Sequence, residues 1–283
     1  ADRKRGGYHP RGHGDRGHHD WLGALVPGLD DGRQLVGPGF HFLDREVDEQ
    51  DRVLGDDAQQ HQHADEHRQR RRLENRLFRR DTFFTYEREL FPDIIEETVR
   101  PYLDEGKAEL VDFGHQLMMN LAAATAGVDR PEGTAEETFR LYAYMMNFIE
   151  AATLSFFTGD KDAKRQEIQE AMEAFDAEFL DDGITRRKAM LRDFEAGKIL
   201  EEDLPKDVLM VLLRNQDKIP MDRESIRREI AFYLLAGAHT SATAFNRVIH
   251  NIFKWIEDHP EDISRAYNDR LFLQRSTHES IRL

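Results

Sequence analysis

Residues 234–245 read LLAGAHTSATAF, and this stretch decides how the chain is interpreted. It lies midway along a pattern in which apolar residues recur every three or four positions from Ile226 to Trp255, as they do on one face of a helix. Asp222 can cap the start of such a helix, so the pattern predicts one helix over about residues 222–257. At about 1.5 Å per residue it would be roughly 50 Å long and would cross a whole domain.

Small and hydroxyl-bearing residues interrupt the middle of this predicted helix. Residues 236–238 are Ala-Gly-Ala, and residues 239–241 are His-Thr-Ser. A glycine costs a helix interior about 1 kcal/mol relative to alanine, and hydroxyl side chains compete for backbone hydrogen bonds. We therefore expect something to lie close against this part of the helix. A second helix in close crossing and a flat ligand both satisfy that expectation.

Helical periodicity extends from about residue 65 to the C-terminus, and strand patterns are almost absent. The one exception is residues 108–113 (AELVDF), which alternate enough to be a short strand or a turn. The sequence therefore predicts a mainly α fold with little β structure. Besides the long helix, we predict helices over residues 67–80, 85–103, 115–126, 134–157, 162–180, 185–196 and 204–215.

The N-terminal part differs in composition from the rest of the chain. Eleven of the 19 glycines precede residue 61, and 8 of the 13 histidines lie within residues 1–67. No helix or strand period is visible there, so we predict that residues 1–64 are disordered or foreign to the natural protein, and that residues 65–283 form the domain. His61, His63 and His67 can bind a metal ion, although a histidine-rich stretch is more often incidental.

The overall composition excludes several classes of protein. A net charge of -15 argues against a nucleic-acid binder, which needs a basic surface. The absence of cysteine excludes disulfides, Cys-containing zinc sites and thiol nucleophiles within this chain. No apolar run approaches the roughly 20 residues of a membrane span, and no secretory signal pattern opens the chain. A soluble, cytoplasmic protein is therefore expected.

Two motifs, in order, resemble those of the cytochrome P-450 superfamily. Residues 236–241 (AGAHTS) resemble the small-Gly-x-acid-Thr-small pattern of that family's oxygen-binding helix. Residues 279–282 (ESIR) resemble its ExxR motif, and the preceding HPEDISRAYNDRLFLQRSTH resembles the helices that lead into it. The resemblance covers about residues 65–283 and is strongest from residue 220 onward. It implies a multi-helix fold of that family, incomplete here, around one long central helix.

The resemblance also implies a cofactor and its contacts. Heme b would lie against Ala236 and Gly237, where small side chains leave room for iron-bound oxygen. Thr240 would donate a hydrogen bond to bound dioxygen or position a water. His239 replaces the family's acid and can still transfer protons near neutral pH. A His-Thr pair at this point is similar to the sterol-demethylase branch.

Further roles follow from the same resemblance. Tyr233 or Leu234, one turn before Gly237, would contact the substrate. His67 and Arg71, spaced four apart, would pair with the heme propionates, the arginine through its planar fork. The alternative for these two residues is a solvated basic run. Glu279 and Arg282 would hold the chain that presents the heme ligand, and their alternative is an exposed surface pair.

One departure concerns the iron ligand. The family ligates iron through a cysteine located after ExxR, and that thiolate favours O–O cleavage. This chain contains no cysteine and its last residue is Leu283. The resemblance therefore implies a C-terminally truncated fragment whose ligand lies beyond Leu283 and which is inactive as it stands.

The function expected from the resemblance is monooxygenation of an apolar, sterol- or lipid-like substrate. One atom of dioxygen enters the substrate, and a separate ferredoxin or flavoprotein reductase supplies the electrons. Two alternatives remain open. The first is a helical scaffold or binding protein without heme. The second is a helical lyase of the isoprenoid-synthase type, because Asp181 and Asp182 resemble that family's acidic box, although its third aspartate is missing.

Overall fold

The computed structural model describes residues 72, 73, 75 and 77–282, all within one compact unit. All regular structure in this part of the chain is helical and no strand occurs, which confirms the mainly α prediction. The segment 1–64 and most of the helix predicted over residues 67–80 lie outside the described residues. The helices are α1 (Arg80–Thr85), α2 (Phe91–Glu105), α3 (Leu110–Ala126), α4 (Ala135–Ala152), α5 (Lys161–Phe175), α6 (Asp181–Glu195), α7 (Val208–Arg214), α8 (Arg223–Asp258), α9 (Ile263–Asn268) and α10 (Arg270–Arg282).

Shorter helical segments connect several of these helices. Two π-helical turns, Tyr86–Leu90 and Asp176–Leu180, join α1 to α2 and α5 to α6. Three 3-10 segments follow α4, α6 and α8 at Leu154–Phe156, Glu201–Asp203 and Pro260–Asp262. Among the described helices, none is both long enough and apolar enough to cross a membrane.

The long helix predicted over about residues 222–257 is confirmed as α8. It contains 36 residues, and the Asp222 side chain caps its start by accepting a hydrogen bond from the Ser225 backbone N–H at 2.7 Å. A carboxylate at this position satisfies a backbone donor that has no partner within the helix. The buried residues of α8 are spaced mainly four apart, so they form one stripe along the helix. They are Ile226, Ile230, Leu234, Ala238, Ala242, Val248 and Ile252.

Helix α3 begins earlier than predicted. The strand or turn expected over residues 108–113 is wrong, because the helix starts at Leu110 and continues to Ala126. The Glu109 side chain caps this start by accepting a hydrogen bond from the Asp112 N–H at 2.8 Å. Gly127 ends the helix as predicted, in a left-handed conformation with φ of 89°.

Helix α6 also begins earlier than predicted, at Asp181 and not at Thr185. Residues 181–184 lie between two predicted helices, yet the chain passes from α5 through a π-helical turn into α6 without a loop. Gly183 is buried, and a Cβ at this position would lie 3.2 Å from Arg187 Nη1. The glycine is therefore placed where a neighbouring side chain approaches the backbone closely.

Helices α3 and α8 form the most extensive helix–helix contact in the described part of the chain. Near one end of the contact, a Cβ on Gly237 would lie 3.3 Å from the Ala122 Cβ. Toward the other end, Phe113 and Phe245 form an edge-to-face pair with ring centroids 5.8 Å apart. Residue numbers rise along one helix as they fall along the other, so the helices are antiparallel. We call this contact the α3–α8 seam.

Enlarging Gly237 should destabilise the chain, because Ala122 occupies the space in front of it. We expect Gly237→Leu to lower the free energy of unfolding by about 1–3 kcal/mol, the usual cost of overpacking a close contact. Urea unfolding followed by circular dichroism measures the change. Thr240→Leu is the control, since Thr240 is exposed on the same helix, and it should change stability by less than about 0.5 kcal/mol. Equal stability of the two variants would contradict the proposed packing.

Candidate functional site

Part of the predicted heme-contacting run lies on an open side of α8. Thr240 is exposed, and Ala236 and Tyr233 are part-buried at helical spacing on the same side. The Thr240 hydroxyl donates a hydrogen bond to the Ala236 carbonyl oxygen at 2.7 Å. This bond fixes the hydroxyl rotamer and leaves the oxygen lone pairs available as acceptors. We call the surface formed by Tyr233, Ala236 and Thr240 the Thr240 face.

Two residues predicted for the same site lie elsewhere. Gly237 packs against Ala122 in the α3–α8 seam, which is the close helix crossing that we considered as the alternative to a ligand. Leu234 has an exposed fraction of 0 % and belongs to the core stripe. The small residues in this part of α8 therefore serve two purposes. Gly237 allows a close helix contact, whereas Ala236 lies on the open surface.

Aromatic rings flank the Thr240 face. The Tyr233 ring is nearly parallel to that of Phe78, with centroids 6.1 Å apart, and meets Phe232 edge-to-face at 5.5 Å. Phe78 and Phe83 contact each other and are each about half exposed. A flat or apolar ligand placed on this face would therefore also meet apolar ring surface.

His239 points away from the Thr240 face and into the α3–α8 seam. Its ring lies nearly parallel to that of His115, with centroids 6.0 Å apart. Burial lowers the pKa of His239. Burial and the neighbouring His239 lower the pKa of His115, although Asp112 and Glu109 oppose this shift. His239 and Thr240 are adjacent in sequence, but the structure does not bring their side chains to the same surface.

Glu279 and Arg282 form an ion pair on the surface of α10. The guanidinium donates two hydrogen bonds to the carboxylate, from Nε at 3.0 Å and from Nη2 at 2.5 Å. Both side chains are more than half exposed. These bonds lower the pKa of Glu279 and raise that of Arg282. Within the described residues the pair bridges one helical turn.

The remaining predicted ligands cannot be placed together. His61, His63, His67 and Arg71 lie outside the described residues. Between residues 77 and 282, no three or more His, Cys, Asp or Glu side chains lie close enough to hold a metal ion. Asp181 pairs with Arg223, whereas Asp182 lines a separate cleft. The two aspartates therefore have different neighbours, and the lyase alternative stays a prediction.

A cleft of about 960 Å³ was not anticipated from the sequence. It lies between the end of α3, helix α6 and the segment before α7, and Arg187 is its most buried charge, with 3 % of the side chain exposed. Arg187 donates to Asp207 from Nε at 3.1 Å and from Nη2 at 2.7 Å, and to Asp129 from Nη1 at 3.2 Å. The carboxylates thus occupy the guanidinium donors, so Arg187 is not available to bind an anionic ligand.

The Arg187 network holds three helices together. Asp207 accepts a hydrogen bond from the Met210 N–H at 2.7 Å and so caps α7. Asp129 follows the end of α3, and Arg187 lies on α6. Burial lowers the pKa of the guanidinium, but Asp207 and Asp129 outweigh this effect and the net pKa is raised. The residues come from three separate parts of the sequence, and no local pattern predicted their contact.

Comparisons with protein-family models, with curated proteins and with solved structures gave no significant match to this chain. The choice of a functional site therefore depends on the geometry of the described residues and on the motifs in the sequence. The Thr240 face combines an open helix surface, a hydroxyl group and apolar rings. In the cleft beside Arg187, the most buried charge is already paired with Asp207 and Asp129.

Removing the Arg187 charge should be strongly destabilising. We expect Arg187→Met to lower the free energy of unfolding by about 3–5 kcal/mol, because it leaves the Asp207 carboxylate buried without a counter-ion. Arg186→Met is the matched control, since Arg186 also pairs with Asp129 but is 58 % exposed. The control should lose less than about 1 kcal/mol. Equal losses of unfolding free energy for the two variants, measured by urea unfolding, would contradict this interpretation.

Proposed function

We propose that this chain is part of a heme-dependent monooxygenase of the cytochrome P-450 type. The observation that carries the proposal is the position of Ala236 and Thr240 on one open side of the long helix α8. The downstream Glu279 and Arg282 follow in the order that the resemblance requires. Heme b is the expected cofactor, and cysteine ligation would come from sequence beyond Leu283.

A porphyrin is flat and largely apolar, and the Thr240 face fits such a group in part. The Ala236 methyl allows close approach, and the rings of Tyr233 and Phe78 offer apolar contact beside it. Gly237 does not supply clearance as the resemblance implied, because Ala122 packs against it. In this proposal, Ala236 and Thr240 would form one wall of the heme site.

The contributions of the protein residues follow from their positions. When bound, heme supplies the activation of dioxygen and accepts electrons from outside, which no amino-acid side chain can do. The Thr240 hydroxyl, held by its bond to the Ala236 carbonyl, can orient a water molecule or a polar ligand on the open face. His239 is directed into the seam, so a role for it in proton delivery to this face needs a water-mediated path.

The substrate class and partners in this proposal come from the resemblance. We expect an apolar, sterol- or lipid-like substrate beside Tyr233, with dioxygen as the second substrate. A ferredoxin or a flavoprotein reductase would supply electrons, and the cytoplasm is the expected compartment. The aromatic rings of Phe78 and Phe83 next to the Thr240 face agree with an apolar substrate.

A specific observation favours a second candidate, a helical scaffold or binding protein without heme. Gly237 is already explained by the α3–α8 seam and needs no ligand. In addition, the end of α8 together with α9 and α10 exposes large apolar side chains, a feature typical of surfaces that bind other proteins. The most exposed are Phe253 (62 %), Tyr267 (82 %) and Ile281 (62 %).

Heme titration separates the two candidates. Extended to include the downstream cysteine, the protein should bind hemin saturably with a shift of the Soret absorbance band, and Thr240→Trp should weaken binding by about tenfold or more by filling the open face. Lys254→Trp is the matched control: Lys254 is also exposed on α8, but about 21 Å further along the helix axis. This control should bind as the unchanged chain does.

Two results would favour the scaffold. One is the absence of saturable hemin binding, and the other is equal binding by the Thr240→Trp and Lys254→Trp variants. For the protein extended to include a downstream cysteine, a reduced carbon-monoxide difference spectrum tests the ligand. A maximum away from the thiolate position would overturn the cysteine-ligation part of the proposal.

A further inference from the structure

Three aromatic side chains form a row across the packed core. His239 of α8 lies nearly parallel to His115 of α3, at an interplanar angle of 20°. On its other side, His115 meets the Tyr142 ring of α4 with centroids 5.2 Å apart. Two titratable imidazoles therefore lie face to face within the α3–α8 seam, where the backbones approach closely.

The described residues around His239 do not stabilise a positive charge on its ring. Its Nδ1 atom is buried and has no hydrogen-bond partner among the described residues. Among the described residues, the titratable side chains in ring contact with one another along this row are His239, His115 and Tyr142. Burial raises the pKa of the Tyr142 phenol to about 12, so it is neutral. The carboxylates of Asp112 and Glu109 act on His115 from its own helix and not on His239.

We propose that His115 and His239 form an acid-sensitive latch in the α3–α8 seam. With both rings neutral, the seam is closed and α8 packs against α3. Uptake of protons places like charges on two rings whose centroids lie 6.0 Å apart, and no carboxylate of the described residues offsets the charge on His239. The helices then separate at this point, and the packing that supports the Thr240 face loosens. The latch depends only on the two imidazoles and not on heme.

The direction of the pH dependence follows from the lowered histidine pKa values. The ordinary pKa of histidine is 6.5, and the pKa of each ring lies below it in the folded chain. The folded chain therefore binds fewer protons than the unfolded chain near pH 6. The stabilisation is fully present above the unfolded pKa and is lost as the pH falls through this range. Because the open seam binds protons more readily than the closed seam, acid favours opening.

Hydrogen exchange at pH 7.5 and 5.5 tests the latch. After correction for the intrinsic exchange rate, acidification should increase the opening equilibrium of α3 and α8 by several-fold, because the open seam binds the protons that the closed seam excludes. His239→Gln, which does not titrate, should show a smaller increase. His250→Gln is the matched control, because His250 is exposed on the same helix, and it should respond to pH as the unchanged chain does.

The latch is overturned if protection of α3 and α8 is the same at both pH values. It is also overturned if His250→Gln reduces the pH response as much as His239→Gln does. Should the His239→Gln chain fail to fold, NMR titration of the histidine rings in the unchanged chain decides the matter. Titration of His115 and His239 below pH 6.5 supports the latch, and titration of both at or above 6.5 refutes it.

Discussion

The close antiparallel crossing of α3 and α8 is the contact on which the rest of the described structure depends. Small residues at Gly114, Ala122 and Gly237 let the two backbones approach, and close approach increases the number of van der Waals contacts along both helices. The other helices are arranged around this pair: α2 packs on α3, α10 packs on α8, and α4 contacts both. Because the seam is closely packed, the latch that we propose would respond to charge on His115 or His239.

The same crossing divides a single sequence motif between two environments. Consecutive residues of an α-helix are about 100° apart around its axis, so the six residues 236–241 pass around the whole helix. Gly237 packs against Ala122 in the α3–α8 seam, Ala238 belongs to the buried stripe, and the His239 ring also lies in the seam beside His115. Ala236 and Thr240 remain on the open side. A motif that resembles a heme-binding run thus contributes both to packing and to a candidate binding surface.

A second organising contact is the Arg187 network. Forming a buried ion pair costs free energy, because both partners lose hydration. Removing one partner is strongly destabilising, because the other charge is left buried without a counter-ion. Here Arg187 connects the residues after α3 to the start of α7 through Asp129 and Asp207. Because these three charges pair with one another, we interpret them as a structural contact between helices and not as a binding site. The Thr240 face is therefore the better candidate for ligand binding.

The sequence by itself determined the helical class, the position of α8, its cap at Asp222 and the end of α3 at Gly127, because periodicity and capping act between residues a few positions apart. Only the tertiary structure decided which side of α8 is covered, and it placed His115 beside His239 and allowed Gly183 inside α6. These features depend on packing against residues that are remote in sequence. A local pattern gives the chemical type of a side chain, but it does not show which residue will pack against that side chain.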